Sequence, residues 1–421
     1  MVLQPVRGTR DLLDQELANH KHIIKTAESI AATYGYKPIE TPIFEYTSVF
    51  QRTLGDTSDI VGKEMYTFSD RGGDSVTLRP EGTAPVVRAM MTQGLTQILP
   101  QKRIYSGPMF RYERPQKGRY RQFHQLGVEY LGASNPFADV ECIALADHIL
   151  KFLGIHSCTL YVNTLGDLES RSVYRQALVD YFAPYRDDLS EDSKIRLDRN
   201  PLRILDSKNP DDQKICQGAP QFDDYMNATS RDFFVTVCDG LAAVGIEFTR
   251  DPHLVRGLDY YCHTAFEFKT TALGAQDAIL AGGRYDGLME QMGGPAMPGI
   301  GWALGIDRLA LLLPQQEDKP PFKVAVIPVG DDDYTHSLVL AQNLRHNSVT
   351  VEIIFSGANI GKRLKQADKN GCTVAILLGA DEVASNTVKV RDLRGATAPE
   401  MKERTVDRRD LTQFLKAEQL S

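Results

Sequence analysis

The chain has 421 residues, 42% of them hydrophobic and 24% charged, with a formal net charge of −7. That is room for two or three domains at roughly 150 residues each, in a composition typical of globular proteins. The acidic balance excludes nucleic-acid binding through global charge, so such a partner would have to meet local basic surface.

The N-terminal MVLQPVRGTRDLL carries charges and no apolar stretch of a secretory signal. Residues Glu16 to Tyr34 show helical spacing that stops at Gly35. The segment IETPIFEYTSVF then reads as β-rich, with Pro42 marking an edge or a break, either a simple edge strand or one meeting a partner subunit. Val76 to Leu78 predict a short strand, RPEGT (79–83) a turn, and residues 84–91 a helix with Pro85 in its first turn. Gly107 to Gly132, GPMFRYERPQKGRYRQFHQLGVEYLG, predicts two strands around a basic loop. Period-two alternation puts Met109, Arg111 and Glu113 on one face of the first strand, and Phe123, Gln125, Gly127 and Glu129 on one face of the second. An aromatic, a glycine and several charges on one face suit a ligand platform better than a solvated hairpin. Alternation turns His124 away from that face.

Asp139 to Phe152 reads as an amphipathic helix. From Leu168 to Phe234 the chain is charged and helical in pattern, between strand-like pieces at Ser157–Asn163 and Gly245–Thr249, as expected of an insertion into a sheet domain. Strands are expected at Asp259–Lys269 and Ala278–Arg284, followed by a glycine-rich strand leading into a helix before Leu313. The longest apolar run, Ile300 to Leu313, is cut by Asp307 and Arg308, so no membrane span is expected. PQQEDKPP (314–321) reads as a linker. Beyond it a βαβαβ rhythm, with strands at Val324–Val329, Val349–Phe355 and Thr373–Leu378, implies a parallel, helix-flanked sheet. Lys362, Arg363, Lys365 and Lys369 form a basic stripe on its second helix. Six cysteines are scattered without a CxxC pair or zinc spacing, so no structural metal is expected.

Four glycine-spaced polar clusters carry the chemistry: RPEGT (79–83), the hairpin, LVRGLDYY (254–261) with AGGRYDG (281–287), and GWALGIDR (301–308). None is a Walker loop, a dinucleotide fingerprint or a nucleophile elbow. Arginines and carboxylates beside glycine are an inventory for holding a polyphosphate next to a small polar ligand.

Together these clusters resemble the histidyl-tRNA synthetases, a family of class II aminoacyl-tRNA synthetases, over essentially the full length. FRYERPQKGRYRQFHQ resembles the second class signature, GIGWALGIDRL the third, and Pro42 the proline of the first, dimer-forming one. LVRGLDYY and AGGRYDGL resemble the two histidine-specific motifs. A non-enzymatic relative, the regulatory subunit of ATP phosphoribosyltransferase, fits less well because Arg256, Arg308 and the domain after Pro321 are all present.

The resemblance implies an α+β catalytic core over residues 1–320, an antiparallel sheet flanked by helices, with a helical insertion at 168–234 and an α/β anticodon-binding domain at 322–421. It implies ATP-dependent activation of L-histidine and its transfer to tRNA(His), with Mg²⁺, in a cytoplasmic homodimer. Arg111 and Arg256 would clamp the α-phosphate. Glu113, Phe123 and Arg308 would complete the ATP site. Glu81 and Thr83 would take the amino group of histidine, with Gln125 beside it, while Glu129, Tyr261 and Tyr285 read the imidazole. Arg114, Gln116 and Arg121 would meet the tRNA acceptor end, including the extra 5′ guanosine the family normally recognises.

Overall fold

The computed structural model describes residues 3–54, 60–116, 118–205, 207–254, 260–273, 278–314, 322–357, 359–393 and 403–420. The chain divides into two units, Met1–Pro314 and Gln315–Ser421. The first runs α1 (Asp14–Thr33), β1 (Lys37–Pro38), β2 (Phe44–Tyr46), α2 (Thr47–Leu54), β3 (Tyr66–Ser69), β4 (Ser75–Leu78) and α3 (Thr83–Thr92). The hairpin β5 (Gln101–Phe110) and β6 (Gln122–Leu131) follows, then α4 (Phe137–Phe152) and β7 (Thr159–Thr164). Helices α5 (Leu168–Phe182), α6 (Glu191–Arg199), α7 (Pro210–Cys216) and α8 (Ala228–Ala243) come next. The unit closes with β8 (Thr249–Arg250), β9 (Cys262–Lys269), β10 (Ala278–Arg284), α9 (Leu288–Gln291), β11 (Gly299–Gly305) and α10 (Ile306–Leu309).

Eight strands form one sheet in the order β1-β5-β6-β11-β10-β9-β7-β8. Its outermost pairs, β1 with β5 and β7 with β8, are parallel, and every junction between them is antiparallel. Side-chain alternation sorts the two faces. Leu126 and Val128 of β6 join Trp302, Phe266, Ile23 and Ile143 in a core beneath α1, α4 and α8. Tyr105, Met109, Tyr261 and Tyr285 gather on the opposite face with Val86 and Met90 of α3. A separate core of Tyr174, Leu178, Phe182, Leu197 and Ile204 belongs to the α5–α7 segment, whereas Phe234, Val237 and Leu241 of α8 pack into the large core.

Local departures from the sequence expectations have physical causes. Only Phe44–Tyr46 of the β-rich segment is strand, and TSVF opens α2, where Thr47 bonds Ser75 and Thr77 instead of extending a ladder. The first hairpin strand starts six residues earlier than Gly107, at Gln101, and ends at Phe110. Arg111 and Glu113 therefore lie past the regular ladder, although Arg111 still donates its backbone N–H to Arg121.

The second unit contains β12 (Val324–Pro328), α11 (Tyr334–His346), β13 (Val351–Ile353), α12 (Ile360–Lys369), β14 (Val374–Leu378), α13 (Ala380–Ala384), β15 (Thr387–Asp392), β16 (Glu403–Asp407) and α14 (Leu411–Leu420). The expected parallel set β13-β12-β14 is present, and β15 and β16 extend it antiparallel. The basic stripe loses one member. Arg363 is buried, donating to the carbonyls of Pro328 (2.5 Å) and Gly357 (3.1 Å) and to the Tyr334 hydroxyl, while Lys362, Lys365 and Lys369 are exposed.

Candidate active site

A cavity of about 320 Å³ opens on the sheet face opposite α1 and α4. The start of α3 contributes Glu81 and Thr83, β6 contributes Phe123 and Gln125, and the residues around the hairpin loop contribute Arg111, Glu113 and Arg119. Tyr260 and Tyr261 enter before β9, Trp302 lies along β11, and Arg308 comes from α10. Lys117 and Arg256 lie outside the described residues.

At one end, Arg111 donates from Nε to the carbonyl of Pro80 (2.9 Å), and its guanidinium lies 5.2 Å from the Phe123 ring centroid. Glu113 is ion-paired to Arg119 and lies 3.9 Å from Arg111. Arg308 donates to the carbonyl of Ala278 (2.6 Å). Three arginines, a carboxylate and an aromatic plane thus line the same cavity. The loop residues Arg114 and Gln116 are exposed, with the Gln116 and Arg119 backbones pairing at 3.0 and 2.9 Å. Arg121 is half-buried instead. Its backbone N–H binds Gly8, and its guanidinium sits 3.9 Å over the Tyr112 ring.

The other end is a buried carboxylate network. Glu81 precedes α3 and accepts the first-turn N–H groups of Thr83 (2.6 Å) and Ala84 (2.9 Å), an arrangement that favours a negative charge at a helix start. Burial nevertheless raises its pKa. Glu129 is fully buried. It accepts hydrogen bonds from the hydroxyls of Thr83 (2.7 Å), Tyr105 (3.3 Å) and Tyr285. Burial lifts its pKa from 4.5 to about 8, a rise the Tyr285 and Thr83 hydrogen bonds only partly offset. Gly301 lies opposite on β11, and a Cβ there would collide with this carboxylate. A Cβ on Gly283 would stand 2.8 Å from the Tyr261 ring. The side-chain Oε1 of Gln125 is buried and has no hydrogen-bond partner among the described residues, an acceptor facing the cavity and unused.

Thr83, Gln125, Glu129, Tyr261 and Tyr285 therefore converge, as do Arg111, Glu113, Phe123 and Arg308. Tyr261 lines the cavity, whereas Glu129 and Tyr285 stand behind that lining. Sequence reasoning missed Tyr105, whose outward alternation on β5 was the available signal. It also missed the anchor behind α10. Both oxygens of Asp307 are taken, one by Arg10 (2.7 Å) and the other by the backbone N–H of His124 (2.6 Å), with the buried ring of His20 alongside. Burial opposes its charge, but bonds from His124 and Arg10 prevail and hold its pKa at about 2. A third omission is Arg284, fully buried and ion-paired to Asp139, next to Tyr285 in the chain.

Comparison with known proteins places this geometry. The family model described as histidyl-tRNA synthetase matches residues 8–179 and 197–309, and that of an anticodon binding domain matches 323–418. A histidine–tRNA ligase of Rhodospirillum rubrum is 56% identical over 392 residues, covering 93% of this chain and 94% of its own. One of Gluconobacter oxydans is 55% identical with the same coverage. The crystal structure of apo Staphylococcus aureus histidyl-tRNA synthetase superposes with a TM-score of 0.82 at 35% identity, over 99% of this chain and 100% of that one.

Proposed function

We infer the work of each part of the cavity from the premise that the chain belongs to the histidyl-tRNA synthetase family. The reaction is that of a histidine–tRNA ligase. L-Histidine and ATP give histidyl-adenylate and pyrophosphate, and the histidyl group then passes to the 3′ end of tRNA(His). The first step is attack of the histidine carboxylate on the α-phosphorus of ATP. This nucleophile is ionised at neutral pH, so the protein needs no general base. It has to align the reactants and neutralise charge growing on the phosphate oxygens.

Arg111 meets the α-phosphate and Phe123 stacks on the adenine, an assignment supported by their shared wall. Glu113 lies near the adenine, and Arg308 takes the γ-phosphate end. Arg256 completes the α-phosphate clamp on the strength of its motif alone. The cleft carboxylates Glu113 and Glu267 stand beside Arg119 and Lys269. Such a donor set suits Mg²⁺ carried in on the triphosphate, with Glu267 the residue to share it, rather than an ion held by protein alone. When bound, Mg²⁺ would neutralise the departing pyrophosphate.

The unpaired Oε1 of Gln125 carries the assignment of the amino-acid end. It accepts from the α-amino group together with Glu81. The Thr83 hydroxyl donates to Glu129 and keeps lone pairs with which it also accepts from the α-amino group. Glu129 is the acceptor for an imidazole N–H, and Tyr105, at the longest of its three hydrogen bonds, is the hydroxyl that yields. Tyr261 covers the ring and Tyr285 steadies Glu129. A site built on that bond rejects apolar isosteres by a factor of roughly 10⁴, because its polar groups would be left unpaired.

The exposed Arg114 and Gln116 suit contact with the tRNA acceptor end, with Arg121 bracing the loop from behind. Unequal charging of transcripts with and without an extra 5′ guanosine is expected, and equal charging would refute that reading. We place the anticodon on the second unit, the protein in the cytoplasm, and two copies in the working enzyme. Among the described residues, no helix is long and apolar enough to cross a membrane. The decisive assay is histidine-dependent ATP–pyrophosphate exchange with purified protein. Exchange driven equally by another amino acid, or none with histidine, would overturn the assignment.

A further inference from the structure

The side chains around Tyr261 account for its ring, but its backbone is held from elsewhere. Arg171, on the first helix of the α5–α7 segment, donates from Nη1 to the Tyr261 carbonyl at 2.6 Å. Two residues on, His263 has a left-handed backbone (φ 43°), an uncommon conformation for a residue with a Cβ. Partners on β10 jump there from Gly283–Ala265 to Arg284–Cys262, leaving His263 and Thr264 as a bulge in β9. Bulges re-aim the side chains beside them. The root of the helical segment fixes this one. His263 donates its N–H to the Gly166 carbonyl (2.8 Å), and its own carbonyl accepts from the Leu165 N–H (2.7 Å). Its ring stacks on Phe233 of α8, centroids 4.4 Å apart.

The root itself is a closed joint. Asp167 caps α5 through the Ser170 N–H (2.8 Å) and accepts from the Asn227 side chain (2.7 Å). Asn227 caps α8 through the Ser230 N–H (2.9 Å). Backbone N–H groups cross in return, Asn227 to the Ser170 hydroxyl (3.1 Å) and Asp167 to the Ser230 hydroxyl (3.0 Å). Entry and exit of the helical segment are thereby stitched to each other and, through His263, to the start of β9 just after Tyr261.

We propose that Arg171 is a positioning residue for Tyr261, so that the root of the helical segment sets the histidine pocket while leaving the ATP wall alone. The proposal rests on the reading of Tyr261 as a histidine contact. Arg171 acts on the Tyr261 carbonyl and not on substrate, and the ATP-side groups Arg111, Phe123 and Arg308 are held by Pro80, β6 and Ala278.

The test is ATP–pyrophosphate exchange with Arg171→Gln, Arg171→Lys and Tyr261→Phe, each with a thermal melt. Arg171→Gln should raise the histidine KM about tenfold with the ATP KM within about twofold, and Arg171→Lys should recover much of the loss. An unchanged histidine KM, or both KM values rising together, would overturn the proposal. If Arg171→Gln shows no cooperative melt, Asn227→Ala loosens the same joint from its far side. A selective rise in histidine KM there supports the coupling, and parental kinetics refute it. The premise fails separately: Tyr261→Phe with a parental histidine KM removes the reading of Tyr261, and the positioning role with it. Raised KM in Tyr261→Phe beside parental KM in Arg171→Gln removes only the latter.

Discussion

Glu129 is where burial and charge conflict most sharply. Its folded pKa of about 8 lies above the ordinary carboxyl value, so the folded state binds more protons than the unfolded chain between those two pH values. Its neutral form contributes stability fully below about pH 4.5, and that contribution is lost as pH rises through about 8. Glu129→Gln should therefore melt higher than the parent at pH 8.5, by an equivalent of roughly 1–3 kcal/mol, with the gap closing toward pH 5. Melting curves across that range check it, and the variant should lose most histidine-dependent exchange. Gln125 offers a cleaner kinetic test. Gln125→Ala removes an acceptor without leaving a buried donor behind, so histidine KM should rise about 10- to 100-fold with ATP KM nearly constant. Much of this site was legible residue by residue, because alternation alone set Phe123, Gln125 and Glu129 on one face. The occupancy of each group was not legible. That Thr83 donates to Glu129, and that Arg363 is spent on Pro328, depends on partners dozens of residues away.

At the scale of elements, the same limit takes another form. Helices α1 and α4 followed from their periodicity, α3 from a turn with proline in its first helical turn, β10 from its strand pattern and β11 as a glycine-rich strand leading into a helix. The α5–α7 segment is held by a device no periodicity announces. The Asp212 carboxylate accepts from the Ser190 N–H (2.8 Å) and from the hydroxyls of Ser190 (2.7 Å), Ser193 (2.6 Å) and Ser207 (2.5 Å). Burial opposes its ionisation, but these bonds outweigh it and hold its pKa at about 2. Asp212→Asn should loosen α6 and α7, since an amide cannot accept from all four donors. Hydrogen exchange should quicken across 190–216 while β5 and β6 stay protected, and uniform quickening of both regions would refute a local role.

Across the whole molecule, the small sheet β2-β4-β3 carries the clearest unfinished surface. Register aligns Tyr46, Val76 and Phe68 in one row and Phe44, Leu78 and Tyr66 in the next, so these side chains share a face. Phe44, Tyr46 and Phe68 are 56%, 60% and 50% exposed, with Ile43 beside them at 44%. Contiguous apolar surface of this kind supports the homodimer we propose and gives Pro42, just ahead of β2, a place in it. Tyr46→Glu with Phe68→Glu should shift the species seen in sedimentation velocity from two copies to one, and an unchanged profile would argue for another interface. One feature of the cavity reaches furthest. Its floor takes its depth from Cβ atoms that are missing, at Gly301 beneath Glu129 and Gly283 beneath Tyr261. Nothing smaller than glycine exists, so evolution or engineering can make this floor shallower but never deeper. A variant that accepts a bulkier amino acid must find its space in the side walls, at Tyr105, Tyr260 or Tyr261, and would have to surrender part of the apparatus we propose for reading the imidazole.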